Sequence, residues 1–145
     1  MPQATAITLA DAQGTPVNHV FNPVGRNQDG VFYYVDSSAA NEVGNWRISV
    51  EIKRANPATQ GQSATGLVNR VKIGLHEPVL ETVSNSTVSG IAPAPTVAYI
   101  ARSYTEFLLP ARMTQLDREN IAKMTPLLLQ VAQIKAVIED GEYLW

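Results

Sequence analysis

Up to Leu109 the chain alternates apolar and polar positions in short runs broken by turn residues. Beyond Pro110 the spacing lengthens to that of a helix. The run Thr5-Ala6-Ile7-Thr8-Leu9 alternates, Asp11-Ala12-Gln13-Gly14 signals a turn, and Val17-Asn18-His19-Val20-Phe21 alternates again, which predicts an N-terminal hairpin over about residues 4–22. A loop at residues 25–30 precedes Val31-Phe32-Tyr33-Tyr34-Val35, whose aromatic and β-branched side chains predict a strand. The clearest strand is Asn45-Trp46-Arg47-Ile48-Ser49-Val50-Glu51-Ile52-Lys53: Trp46, Ile48, Val50 and Ile52 take one face, and Arg47, Ser49, Glu51 and Lys53 the other. A polar, flexible connection is expected over residues 54–65, which contain Pro57 and Gly61. Alternation then returns, with Val71, Ile73 and Leu75 on one face and Arg70, Lys72, Gly74 and His76 on the other, and Pro78 limits that strand. Residues 79–88 read as another strand interrupted by Ser84-Asn85-Ser86, and the two prolines in residues 90–95 predict a stiff loop. The last strand is expected over residues 96–109, with Val97, Tyr99, Phe107 and Leu109 on one phase and Arg102, Tyr104 and Glu106 on the other.

After Pro110, Thr114 and Asp117 form a capping pair, and Met113, Leu116, Ile121, Met124, Leu128 and Val131 form the stripe of an amphipathic helix. Pro126 leaves two readings: a kink inside one helix, or Thr125-Pro126 as the cap and first position of a second. A further helical run through Val131, Ile134, Val137 and Ile138 ends near Asp140-Gly141, ahead of an apolar-ended tail, Glu142-Tyr143-Leu144-Trp145. Six or seven antiparallel strands followed by helices make an α+β pattern.

Composition narrows the chemistry. The 145 residues suit one domain. Absence of cysteine excludes disulfides, thiolate catalysis and cysteine-ligated metal, two histidines are little material for a metal cluster, and no cofactor is expected. The first twenty residues lack a secretory pattern and no apolar run approaches spanning length, so no membrane partner is expected. A net charge of −2 excludes coating of nucleic acid by bulk positive charge. The charge is nevertheless uneven: residues 1–44 carry one base and four acids, net −3, whereas residues 45–76 carry five bases and one acid, net +4. If the two strands in that basic stretch pair, Arg47, Lys53, Arg70 and Lys72 converge on one surface with Ser49 and Tyr104, donors for phosphates beside a ring for an unpaired base. The opposite, apolar face must be covered. Two short helices are a narrow cover for such a sheet, so helices from a second subunit are expected to contribute.

An enzyme would need more than the sequence offers. Glu51, Glu106, Asp117 and Glu119 are nominal acids and His19 or His76 a nominal base, but no nucleophile, base and orienting group fall into a recognisable set, and no glycine loop cradles phosphate. The competing reading is a monomeric β-rich binding module that uses the same polar face.

The order of elements, together with Asn45 to Lys53, Asn69-Arg70-Val71-Lys72-Ile73-Gly74-Leu75-His76-Glu77-Pro78, Gly90-Ile91-Ala92-Pro93-Ala94-Pro95-Thr96-Val97-Ala98-Tyr99 and Glu106-Phe107-Leu108-Leu109-Pro110, resembles the coat proteins of single-stranded RNA bacteriophages, the levivirus type. The resemblance spans nearly the whole chain and rests on order and spacing. It implies one coat-protein domain over residues 1–145: a hairpin, a five-stranded antiparallel main sheet over about residues 31–109, and two helices over about 114–139. It further implies an intertwined homodimer, an icosahedral shell around a single-stranded RNA genome, assembly in the bacterial host cytoplasm, and residence in the virion. By the same resemblance Ser89, Gly90, Ile91, Ala92, Pro93, Ala94 and Pro95 form the loop between dimers, without the cysteines some members carry there. The sheet is expected to bind an RNA hairpin, repressing translation and marking the genome for packaging, through Arg47, Ser49, Glu51, Lys53, Arg70, Lys72, Arg102, Tyr104 and Glu106. In that scheme Arg47, Arg70 and Lys72 contact phosphates, Tyr104 stacks on a looped-out base, and Glu106 accepts from a base amine or orients an arginine. Gly74 stands where some relatives have a basic side chain, and Glu51 places a negative charge amid the surface.

Overall fold

The computed structural model describes residues 3–82 and 93–144. The chain divides into two compact units, residues 1–54 with 69–108 and residues 55–68 with 109–145. The strands are β1 (Ile7–Ala10), β2 (Asn18–Arg26), β3 (Phe32–Asp36), β4 (Trp46–Lys53), β5 (Val68–Leu80) and β6 (Val97–Pro110), joined in the order β1-β2-β3-β4-β5-β6. The fold is therefore the expected antiparallel sheet with an N-terminal hairpin, followed by two helices.

The hairpin and main sheet share β2. Its first half pairs with β1, Phe21 opposite Ile7, and its second half pairs with β3, Asn22 opposite Val35. The expected loop over residues 25–30 is accordingly shorter, because the strand continues through Pro23 and Gly25. A register shift between those two residues is the irregularity at which a sheet tolerates proline, and Gly25 takes a φ of 130° that a side chain would resist. The Asp11 carboxylate holds the hairpin turn, accepting from the backbone N–H of Gln13 and Val17 at 3.2 and 2.9 Å.

Val68–Leu80 is one strand, so Val79 and Leu80 continue the strand that Pro78 was expected to limit. Pairing with β4 runs from Arg70 to His76, so Pro78 lies beyond the last rung on that side and its missing N–H breaks none. The remainder of the strand expected over residues 79–88 falls mostly outside the described residues. A backbone hydrogen bond from Glu81 to Thr96 (2.9 Å) and a side-chain bond from Thr96 Oγ1 to the Glu81 carboxylate join the chain before and after that segment. Of the expected inter-dimer loop, Ser89 to Ala92 lie outside the described residues, and Pro93, Ala94 and Pro95 are exposed without regular structure.

In the second unit the connection over residues 54–67 contains a short 3-10 turn, Ala64–Gly66, and Ala111 donates to the Leu67 carbonyl at 2.7 Å. Helix α1 (Gln115–Leu129) opens with the expected capping box of Thr114 and Asp117. Pro126 lies inside α1, where the Thr125 hydroxyl bonds back to the Ile121 carbonyl at 2.7 Å. The second helix, α2 (Ala132–Glu139), begins only after Val131 and is bent 63° from α1, so Thr125-Pro126 does not start it. Gly141, with a φ of 69°, follows its end. Neither helix has a buried residue: Leu116, Met124, Leu127, Leu128 and Ile138 are all exposed. No single helix among the described residues is long and apolar enough to cross a membrane.

Candidate nucleic-acid interface

Register converts the alternation of β4 and β5 into a surface. Arg47 stands opposite His76, Ser49 opposite Gly74, Glu51 opposite Lys72 and Lys53 opposite Arg70, whereas Ile48, Val50 and Ile52 face Leu75, Ile73 and Val71 on the other side. Directly opposed residues in an antiparallel pair share a face, so the four predicted basic side chains lie on one surface. Tyr33 and Val35 extend it across β3, opposite Ser49 and Arg47. From β6, Tyr104 reaches Lys72, whose Nζ lies 4.2 Å from the ring centroid, and Glu106 reaches Arg70, with Oε1 3.0 Å from Nε. Arg102 joins Arg47 and His76 around an adjoining hollow.

Tyr104 occupies space that Gly74 leaves. A Cβ on Gly74 would stand 2.7 Å from both Ser49 Oγ and Tyr104 Cε1. That close approach gives a physical reason for glycine where a basic residue would otherwise strengthen the face. Beside the ring lies a depression of about 170 Å³ lined by Val31, Tyr33, Ser49, Glu51, Lys72, His76 and Tyr104.

The face is positive but partly self-neutralised. Arg47, Lys53, Arg70, Lys72 and Arg102 against Glu51 and Glu106 leave a balance of +3. Lys53 contacts Glu51 at 2.8 Å and Arg70 contacts Glu106, while Arg47, Lys72 and Arg102 make no ion pair within 4.0 Å among the described residues. The hydrogen bond from Lys53 holds the Glu51 carboxyl below its ordinary range against partial desolvation, aided by the charges of Lys53, Lys72 and Arg70. Thus Glu51 remains an anion among cations rather than a neutral acid.

Sequence reasoning placed His76 on this face but assigned it no part in the site, and it passed over Tyr33. His76 Nε2 lies 3.1 Å from Ser49 Oγ, and its ring meets Tyr104 edge-on at 5.4 Å. Burial, and then the charges of Arg102, Arg47 and Lys72, hold its pKa below the ordinary histidine value. Serine and histidine at hydrogen-bond distance are two parts of a nucleophilic device, but no carboxylate among the described residues orients His76.

A second cluster ties the hairpin to the main sheet. His19 Nδ1 lies 2.6 Å from Asp36 Oδ2, and its ring stacks on Trp46 at 4.5 Å and 6°. Asp36 also accepts from Ser38 N and Oγ at 3.0 and 2.9 Å. Burial raises the Asp36 pKa, but the bonds from His19 and Ser38 outweigh it and leave a net lowering. This arrangement fits an internal latch. Among the described residues no group of three His, Cys, Asp or Glu side chains is placed to hold a metal ion.

The family model described as Levivirus coat protein matches residues 2–145. The chain belongs to the levivirus coat protein family. The virus-like particle of bacteriophage ESE058 is 40% identical, with a TM-score of 0.89 over 99% of this chain and 100% of that one. The virus-like particle of bacteriophage NT-214 shares the fold at 24% identity, with a TM-score of 0.80 over 99% and 100% of the two chains. The bacteriophage GA protein capsid shares it at 20% identity, with a TM-score of 0.66 over 96% of each. No curated protein sequence matches the chain. As a levivirus coat protein the chain is a non-catalytic, self-assembling structural protein of the virion. The Ser49 and His76 pair therefore needs a structural or binding explanation.

Proposed function

We propose that the whole chain, residues 1–145, acts as one capsid subunit that dimerises, packs as dimers into an icosahedral shell in the host cytoplasm, and binds viral RNA on the sheet face of Arg47, Lys72, Arg102 and Tyr104. The observation carrying this reading is the segregation of the sheet's two faces. One gathers a net positive charge beside a half-exposed tyrosine; the other carries Ile52 and Ile73, both more than 40% exposed, with a cavity of about 540 Å³ lined in part by Leu9, Phe21, Trp46 and Leu75. Phe21 and Ile48 are the only large apolar side chains buried among the described residues. Burying an apolar side chain stabilises by about 1.5–3 kcal/mol, so covering five half-exposed helix side chains and this face in a dimer is worth several kcal/mol. A second copy's helices are the cover of matching chemistry.

On the polar face Arg47, Lys72 and Arg102 have, among the described residues, no carboxylate to leave before meeting a phosphate. Arg70 is held by Glu106, which supports the orienting role for that carboxylate. A base stacking on Tyr104 would take the place of the Lys72 ammonium, whose flexible stem then carries it to a phosphate. RNA bound this way as a hairpin would repress translation and mark the genome for packaging. Segment Ser89 to Pro95 would join neighbouring dimers.

Electron microscopy of the chain expressed alone, with the 260 to 280 nm absorbance ratio of the same fraction, tests the shell and its RNA content. Uniform shells enriched in RNA support the proposal; a homogeneous monomer free of RNA returns the competing binding module. Arg47→Ala with Lys72→Ala is expected to retain assembly and to flatten the dependence of log affinity on log salt by about 1.4, at roughly 0.7 for each phosphate no longer neutralised. An unchanged slope refutes the phosphate roles.

A further inference from the structure

His76 stands at the last β4–β5 rung of the polar face, and the groups around it come from four strands. Arg47 is its register partner on β4, Ser49 bonds to its Nε2, Tyr104 of β6 meets its ring, and Arg102 lies across the adjoining hollow. Lys72 lies on its own strand, Tyr33 of β3 lines both hollows beside it, and Glu51 is the acid sharing the smaller one. Three cations and one acid thus surround a part-buried imidazole that has no carboxylate partner among the described residues.

We infer that His76 is a proton-taking RNA contact: a phosphate brought in by Arg47, Arg102 and Lys72 turns the imidazole into an imidazolium, so that binding of RNA is coupled to uptake of a proton. This rests on the RNA-binding reading above. The chemistry is a change of sign in the local field. Without RNA the surrounding cations and burial disfavour a positive ring; a phosphate neutralises those cations and favours it. In the imidazolium both ring nitrogens donate, so the Ser49 hydroxyl accepts from Nε2. The proton comes from solvent and returns to it when RNA leaves.

Linkage gives the magnitude. Uptake of one proton raises affinity by up to tenfold for each unit the pH falls, over the interval between the unbound and bound pKa values of the ring. That interval starts at the unbound value, which lies below the ordinary histidine value of about 6.5, so affinity should climb as pH falls from neutral through about 6.

The test is binding of a short oligouridylate, whose bases do not titrate in this range, to the full chain across that pH interval at constant salt. Wild type should gain affinity by several-fold to tenfold per unit, and His76→Gln, which keeps a hydrogen-bonding partner for Ser49 but cannot be protonated, should show a flat profile. An equal slope in His76→Gln overturns the assignment, as does a flat wild-type profile. If His76→Gln does not fold, calorimetry of wild type in two buffers of different ionisation enthalpy counts the protons directly; uptake near neutral pH supports the inference and zero uptake overturns it. Failure to bind at any pH is a separate result that removes the RNA-binding reading itself.

Discussion

Replacing Gly74 with alanine probes the packing on which the polar face depends. The new Cβ would stand 2.7 and 2.8 Å from Cε1 and Cδ1 of Tyr104 and 2.7 Å from Ser49 Oγ. Carbon atoms rest at about 3.5–4.0 Å, so the ring must retreat by about 1 Å. Retreat separates it from Lys72 Nζ and from the edge of His76. A half-exposed cation–π contact is worth about 0.5–1 kcal/mol and an aromatic pair about 0.5–1.5 kcal/mol, so the loss is about 1–2.5 kcal/mol. Against this, Gly74 is not in the left-handed region, so alanine fits its backbone and recovers about 0.4–1 kcal/mol by restricting the unfolded chain. The expected net destabilisation is about 1 kcal/mol. Urea denaturation at fixed protein concentration of wild type, Gly74→Ala, Tyr104→Ala and the double variant measures the coupling. With the ring gone Ser49 Oγ is what remains of the three closest contacts to the new methyl group, and a rotation of the serine clears it. Gly74→Ala should therefore be neutral or stabilising in the Tyr104→Ala background, and in the wild-type background it should also weaken RNA binding. An equal cost in both backgrounds would refute the placement of the ring over Gly74.

The shifted pKa values of His76 and Asp36 predict two pH windows for stability. His76 in the native, RNA-free chain binds its proton less readily than in the unfolded chain, so its contribution is full above about 6.5 and lost as pH falls through the depressed native value; His76→Gln should remove that dependence in urea titrations. Asp36 is likewise depressed, so its contribution is present above about 3.8 and is lost as pH falls through the native value. Asp36→Ala leaves His19 and Ser38 without their partner and should cost about 1–3 kcal/mol at neutral pH, with faster amide exchange in the hairpin than in β4 as the mark of a released latch. Thr114→Ala removes the cap of α1 and should cost about 1 kcal/mol, which circular dichroism during thermal unfolding would detect.

Side-chain period alone made β4 legible, because nine residues alternate without a break and the structure keeps both faces as read. The same period assigned His76 and Gly74 to the polar face. It could not assign them a role, since the neighbours that define them, Ser49 and Tyr104, lie 25 or more positions away in the chain. Pro78 read as a limit on its strand, for a proline cannot donate to a ladder. Whether a donor is wanted at that rung depends on the partner strand, and pairing with β4 ends before Pro78, while Pro23 stands at a register shift. Pro126 leaves two readings open, and the structure has it inside α1: the turn falls at Gln130 and Val131, where nothing in composition marks it.

Charge shows the limit most clearly. Counting placed Arg47, Lys53, Arg70 and Lys72 on one surface and treated them alike, but register and reach divide them. Arg70 is committed to Glu106 and Lys53 to Glu51, whereas Arg47 and Lys72, with Arg102, have no carboxylate to abandon among the described residues. An exposed ion pair contributes about 0–1 kcal/mol, so a phosphate can displace Glu51 or Glu106 from its partner, but each displacement subtracts from the gain. The three uncommitted cations also surround His76. A polyanion that engages them therefore changes the field at the histidine on the face, so affinity for phosphate and affinity of the imidazole for a proton become two readings of the same interaction.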